Sequence, residues 1–449
     1  MGRTPNVNYV ETRVPLTGDP LTAVARLAAA GLAETYVVYE SGDEYAFAAG
    51  AVTEITLGRK GVTLSTAAGA EFEPWNDQPL RQVEDSLQRM PVSGWRAYGW
   101  AAFELSYAMA TGRAQAGDSP LLHLAVPSIE VRIAHEVAWV RVVSADLIGA
   151  VLKILDAPDD AVVGMPVPLD ISTPGALEYR QAVADAVARI GSSELQKVIL
   201  SRVVAIAQPI DLVGTYLTGR RANAPARSFL LRQGGIEATG FSPEVVVVVT
   251  ADGRITSQPL AGTRALTGDR TEDQRLRSDL LSDPKEIYEH AISVQIATSE
   301  LAAVSLPGTV RVEEFMKVRD RGSVQHLASR VTSQLASDRT AWDALGAVFP
   351  AVTASGVPKP AAYDAIRAHE REPRGLYSGT VLTVDHTGAM DAALVLRSVF
   401  RQGGRTWLRA GAGIVGQSNP ERELEETCEK LSSISRFLIP AERTCPECL

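Results

Sequence analysis

The feature that most constrains this chain is a succession of short β-branched segments set between tight turn signals. From residue 197 the sequence carries KVILSRVVAIA, then SFLLR, IEATGF, EVVVVVT and RITSQPLAGT, with Gly234-Gly235, Ser242-Pro243 and Ala251-Asp252-Gly253 dividing the last four. Runs of Val and Ile with period-two alternation specify strands. Loops this short join antiparallel neighbours, because a parallel crossover needs a dozen residues or more. A second such series runs from 376 to 415, turning at His386-Thr387-Gly388 and Gly403-Gly404. With helical stretches between the two series, the expected fold class is α+β: two packed antiparallel β-sheets flanked by helices.

At 449 residues the chain exceeds the length at which single cores usually stop growing. We therefore expect two lobes of one fold. The N-terminal lobe is residues 1–165, where LTAVARLAAAGL (21–32) reads as helix, TYVVYE (35–40) as strand, and AYGWAAFELSYAM (97–109) as sheet with a following turn. A proline-rich, acidic connector, 156–175, leads to the second region, 166–440, and residues 441–449 form a tail. The second region opens with a helix over 176–190, and Lys197 begins the strand after it.

Hydrophobic residues at 45% and charged residues at 22% leave ample material for a large core. The net charge of -9 is spread along the chain without a basic block, which excludes nucleic acid and anionic lipid as expected partners. The N-terminus has no apolar leader, and the longest aliphatic run, Val245 to Val249, is far short of the roughly 20 residues of a membrane-spanning helix. A cytoplasmic protein acting as a monomer or weak dimer is expected. Of three cysteines, Cys445 and Cys448 form a CxxC in the tail with no second pair to complete a zinc site.

Two helices share a start signal. Ser282-Asp283-Pro284 precedes KEIYEHAISVQIATSEL, and Ser418-Asn419-Pro420 precedes ERELEETCEKLSSISRFL; each has a capping residue followed by proline at the first helical position. Their apolar stripes (Ile287, Ala291, Val294 and Leu424, Cys428, Leu431) are expected to face the core. Glu286, Glu289 and His290 share a face of the first helix, and Glu423, Glu426 and Lys430 share one of the second. Acidic residues near a helix start are favoured by the dipole and usually sit in water. Carboxylates converging from two helices would instead suit a hard cation such as Mg²⁺, and zinc fits poorly without thiolate or imidazole partners.

The specific signal is an ordered series: KVILSR (197–202), GFSPE (240–244), PLAGTR (259–264), KEIYEH (285–290), SVQHL (323–327), FPAVTASGVPK (349–359), GLYSG (375–379), ALVLR (393–397), RAGAGIV (409–415) and PERELEETCEK (420–430). Over residues 190–440 this series resembles the chorismate-utilising enzymes, the group containing anthranilate, aminodeoxychorismate, isochorismate and salicylate synthases. The resemblance implies that Glu289, Glu423 and Glu426 hold Mg²⁺, with Glu286 as ligand or support, and that the metal grips the ring carboxylate of chorismate. It also implies that Tyr377, Arg397 and the backbone around Gly411 and Gly413 hold the enolpyruvyl carboxylate, with Gly262 and Thr263 on the ring side. Thr353, Leu396 and Lys430 complete the wall, and His326 lies near the reacting ring, in a catalytic or a packed structural role.

Within that family Lys197 discriminates, since the amine-forming members carry glutamine there and the water-adding members lysine. A lysine acting as base must be partly neutral, and a partnering acid, Glu244, needs its pKa raised. The lysine that attacks the ring in many aminodeoxychorismate synthases is replaced by Ala261, which removes that covalent route. FPAVTASGVPK, with SVQHL and KEIYEHAISV, looks like the siderophore-type salicylate synthases, so the expected reaction is chorismate to salicylate through isochorismate. Release of isochorismate is the competing reading. A non-catalytic relative would have lost the proton-transfer pair, and Lys197 and Glu244 are both present.

Overall fold

The structure is a computed structural model that describes residues 7–110, 116–159 and 164–441. The tail cysteines lie outside the described residues. Two large antiparallel sheets pack face to face with helices on both outer sides, as the alternating pattern required. In sheet I the order is Val10–Pro15, Val137–Val142, Ile129–Ala134, Glu44–Ala49, Tyr36–Ser41, Arg227–Gln233, Ile236–Ser242, Ser398–Gln402, Arg405–Ile414, Lys197–Ile206, Gly356–Val357. Sheet II runs from Leu260–Ala265 through Val324–Gln334, Arg254–Ser257, Val245–Val249, Met390–Leu394, Thr380–Asp385 and Arg96–Ala101 to the strands of residues 53–74 and 122–126. Strands from the first 150 residues thus form the outer half of both sheets. Tyr36–Ser41 pairs with Arg227–Gln233, and Arg96–Ala101 with Thr380–Asp385.

Between the sheets lies an aromatic and aliphatic core that includes Tyr39, Trp100, Phe229, Val381, Ala393 and Phe400. Outside sheet I it is covered by helices such as Pro20–Ala29 and Leu212–Ala222, and outside sheet II by Pro79–Gln88 and Ala341–Val348. Strands held between a sheet partner and covering helices are buried on both faces, as in Tyr36–Ser41 and Leu122–Val126, whereas the edge strand Gly69–Pro74 stays largely exposed. No helix of the described residues is long and apolar enough to cross a membrane.

Three readings of the sequence need correction. The strand ending at Ala101 is followed by a turn at Phe103-Glu104, as expected, but the chain then enters a short helix, Leu105–Ala110; Phe103, Leu105 and Tyr107 are buried there, and packing decides the local structure. Neither strand series is a continuous meander in one sheet. The chain leaves sheet I after Ser242 and enters sheet II at Val245; later it leaves sheet II after Leu394 and re-enters sheet I at Ser398. Alternation reports which face of a strand is buried, not which sheet it joins.

The third correction concerns the two helices. Both begin where their caps indicate: Asp283 accepts from the N–H of Lys285 and Glu286 above Pro284–Ala302, and Asn419 accepts from Glu421 and Arg422 above Pro420–Ser435. Their inward faces carry buried polar residues alongside the aliphatic ones. Glu286, Glu289, His290 and Ser293 are buried, as are Glu423, Glu426 and Thr427, whereas Ile287, Ala291 and Cys428 are only half-buried. Val294, Leu424 and Leu431 do reach the core.

Candidate active site

The two passages between sheets meet. Leu394 N–H donates to Glu244 O (3.1 Å) and Phe241 N–H to Arg397 O (3.2 Å), so the backbones carrying Glu244 and Arg397 brace each other. Nearby Ser378 N–H donates to Val395 O (2.9 Å), which fixes the Tyr377 turn against the same crossing. Arg397 and Ser378 both adopt left-handed backbone, φ 51° and 62°. Such conformations cost about 1–3 kcal/mol outside glycine and persist where surrounding contacts impose them.

The cleft beside these crossings, about 730 Å³ including its open mouth, is lined by Glu244, Gly262, Thr263, Glu289, His326, Thr353, Tyr377, Leu396, Arg397, Gly411, Gly413, Glu426 and Lys430. Apart from Lys197, Glu286 and Glu423, the site residues expected from sequence are all on its wall. Lys197 is fully buried behind it, donating to Ser293 Oγ (3.0 Å) and paired with Glu289 Oε1 (3.1 Å). Arg409 also lines the cleft, anchored by Glu370 (2.5 Å) and Ser201 Oγ (2.8 Å), with its guanidinium 5.5 Å from the Tyr377 ring.

Glu244 is 3% exposed and accepts from Thr353 Oγ1 at 2.6 Å. Burial pushes its carboxyl up to about 8, against the opposing pull of the Thr353 bond and of Lys197. A proton is therefore held at neutral pH on an acid that faces the cleft. Arg397, equally buried, donates to Arg321 O (2.9 Å) and to His326 Nε2, and no carboxylate pairs with it among the described residues. Burial and the neighbouring Arg321 press against its charge. A guanidinium stays protonated, so the cleft wall presents a cation without an anion.

Opposite, a bulge between Ala261 and Thr263 brings Gly262 and Thr263 to the cleft wall. Gly262 sits there at φ +82°, and a Cβ would meet Glu286 Oε2 at 3.2 Å. The Thr263 N–H donates to that same oxygen (3.1 Å), and Arg264 binds Glu286 Oε1 at 3.0 Å. Gly413 is needed for space: a Cβ on it would lie 2.0 Å from Glu289 Oε1.

Glu286, Glu289, Glu423 and Glu426 converge as their helix faces required, and they surround an ammonium that sequence reading missed. Lys285 Nζ lies 3.3 Å from Glu286, 3.4 Å from Glu289, 3.3 Å from Glu423 and 3.9 Å from Glu426. Among the described residues no three donors form a ready-made metal centre. Lys285 stands at their common point. Burial and Glu426 push Glu423 upward; burial opposes ionisation of Glu426 as well, but Lys430 at 2.7 Å and Lys285 outweigh it and hold that carboxyl low. Glu423 Oε2 and Glu426 Oε2 are buried without a hydrogen-bond partner. Unsatisfied carboxylate oxygens in an all-oxygen donor set fit a hard cation.

Comparison with known proteins defines the class. The profile of the chorismate binding enzyme family matches residues 36–436, and the chain belongs to that family. It is 41% identical over 432 residues to the salicylate synthase of Mycolicibacterium paratuberculosis (strain ATCC BAA-968 / K-10), a match covering 95% of each chain. To anthranilate synthase component 1 of Haloferax volcanii it is 38% identical over 261 residues, 57% of this chain and 50% of that one. Among solved structures, anthranilate synthase component I from Streptococcus pneumoniae TIGR4 superposes with a TM-score of 0.73 at 26% identity, covering 88% of this chain and 92% of that one. The menaquinone-specific isochorismate synthase MenF of Escherichia coli shares the fold, with a TM-score of 0.72 at 23% identity over 97% and 95% of the two chains.

The resemblance read from ten short motifs is thus borne out over nearly the whole chain, and so is the fold class. Besides the residues singled out from the sequence, the site includes Lys285, Ser293 and Arg409. Ser293 was legible, since it follows Glu289 by four residues on one helix face. Lys285 stood inside KEIYEH, but a lysine at a helix start reads as solvated.

Proposed function

We propose that this protein is a salicylate synthase, converting chorismate to isochorismate and then to salicylate and pyruvate. The observation that carries the reading is the buried carboxyl of Glu244, kept protonated on one side of the cleft and within the electrostatic reach of Lys197. Lys197 takes a proton from water as the oxygen attacks ring C2. Both ring double bonds shift by one position, the C4–O bond breaks, and Glu244 delivers its proton to the departing hydroxyl, which leaves as water. Arg397 and Tyr377 hold the enolpyruvyl carboxylate, the guanidinium gaining the anion it otherwise lacks. In the second step the C2 hydrogen passes to the enolpyruvyl methylene as the ether bond to the ring breaks, which gives pyruvate and an aromatic ring. That transfer needs a held conformer and no further acid or base.

Mg²⁺ is the proposed cofactor, with Glu289, Glu423 and Glu426 as the residues that would hold it and Glu286, fixed by Arg264 and Thr263, as their support. Bound there, the ion would neutralise and orient the ring carboxylate of chorismate. The purified protein with chorismate and Mg²⁺ should yield salicylate fluorescence and an equal amount of pyruvate. Isochorismate accumulating without pyruvate would overturn the assignment, and full turnover in EDTA would overturn the magnesium reading.

A further inference from the structure

The acidic cluster is not equally served by its cations. Glu289 has Lys197, Glu286 has Arg264 and Glu426 has Lys430 at hydrogen-bonding distance. Glu423, 1% exposed, has only Lys285 as an ion-pair partner among the described residues. Lys285 is shared among all four carboxylates at 3.3 to 3.9 Å. Charge-assisted bonds to one carboxylate are shorter, about 2.7–2.9 Å. An ammonium has three protons and cannot bond four carboxylates well. Here it acts as a diffuse point charge, and two buried carboxylate oxygens are left over.

Its placement also differs from that of the groups it serves. The Lys285 side chain is 14% exposed, against 1% to 6% for the four glutamates. It starts from the first turn of the Pro284–Ala302 helix and enters the cluster from the rim. The flexible four-carbon stem gives the ammonium a path back to water.

Resting on the magnesium reading above, we propose that Lys285 is a built-in counter-ion that competes with the divalent cation for Glu289, Glu423 and Glu426, and so lowers the metal affinity of the free enzyme. The ammonium keeps the glutamates in place between turnovers, and Mg²⁺ displaces it because a divalent ion with more coordination positions satisfies the leftover oxygens. Binding must then work against the ammonium-bound state, which reduces apparent affinity by the fraction of molecules in that state.

The test is calorimetric titration of MgCl₂ into chelator-stripped protein without chorismate. K285M should bind Mg²⁺ about 5- to 100-fold more tightly than the wild type, the usual span of a coupling between sites. In EDTA it should melt below the wild type, and MgCl₂ should close the gap. K285R, which keeps the charge, should bind Mg²⁺ no more tightly than the wild type. Unchanged or weaker binding by K285M, or equal tightening by K285R, would overturn the proposal. Should K285M fold only with metal, it is purified with Mg²⁺ and its affinity read by competition with a chelator. Wild-type protein that binds no Mg²⁺ would sink the metal reading and this inference together. The product assay stands apart from both, so an enzyme that binds Mg²⁺ as described yet makes no salicylate would overturn only the function.

Discussion

The guanidinium of Arg397 donates to Nε2 of His326, and this fixes the protonation of the imidazole. Arginine has no acceptor, so Nε2 is the acceptor and the ring proton sits on Nδ1, 3.2 Å from Gly262 O and 3.2 Å from Thr263 Oγ1. Burial first, then the charge of Arg397, hold His326 well below its usual value. A histidine so held is neutral and positions Arg397. We therefore expect H326Q to raise KM for chorismate by about tenfold, near 1.4 kcal/mol, with a smaller change in kcat. Equal losses in kcat and kcat/KM would instead place His326 in the proton transfers.

Glu244 should govern the alkaline limb. As general acid it works only when protonated, so kcat/KM should fall as pH rises through about 8. E244Q should lose turnover entirely. The same raised value has a consequence for stability: between the ordinary carboxyl value of 4.5 and about 8 the folded state binds the extra proton, so stability declines as pH rises across that window. Glutamine keeps the Thr353 contact without a charge to desolvate. E244Q should accordingly match the wild type at pH 5 and exceed it by about 1–3 kcal/mol at pH 9 in denaturant unfolding. No difference at pH 9 would mean that the carboxyl is not held protonated by the fold.

Particular residues show how far the sequence could be read. Asp283 and Asn419 were legible as caps because an Asx-Pro start has a local cause in the unsatisfied amides of a first helical turn. Lys197 was legible only through its motif: in isolation it is a strand-edge lysine, and nothing local reveals that it is wholly buried against Glu289 and Ser293. The inward turn of the glutamate faces was likewise legible only through the joint motifs, since burying carboxylates requires cations supplied from distant segments. Glu244 and Arg397 stand where the chain changes sheets, and strand alternation is blind to that choice.

Lys197 carries two roles, one in each protonation state: the neutral amine is the base and the ammonium is the partner of Glu289. As the base, its loss should reduce chorismate consumption by about 10²- to 10⁴-fold. As partner of buried Glu289, its loss leaves a carboxylate short of a cation, and breaking a buried pair costs about 3–5 kcal/mol. K197A should therefore be both inactive and less stable by thermal unfolding. K197R retains the charge without a usable base, so it should recover stability and remain inactive. If K197R turned over chorismate at the wild-type rate, Lys197 would not be the base.

Gly411 and Gly413 lie on one strand two residues apart, and alanine at each should fail differently. A Cβ at Gly411 would press on Leu200 O (2.5 Å) and Ser201 Cβ (3.0 Å), atoms of the neighbouring strand that move only with the sheet. A Cβ at Gly413 would meet Glu289 Oε1 at 2.0 Å, the end of a side chain that can swing away. That swing would take the carboxylate from Lys197 and from the cluster with Glu423 and Glu426, disturbing base and metal together while the pairing with Ile199 survives. G413A should fold with a melting point near that of the wild type, lose chorismate turnover by at least about tenfold, and bind Mg²⁺ more weakly in titration. G411A should show the reverse balance, a lowered melting point with residual turnover per folded molecule. Wild-type turnover and Mg²⁺ affinity in G413A would mean that the position of Glu289 does not matter to the chemistry.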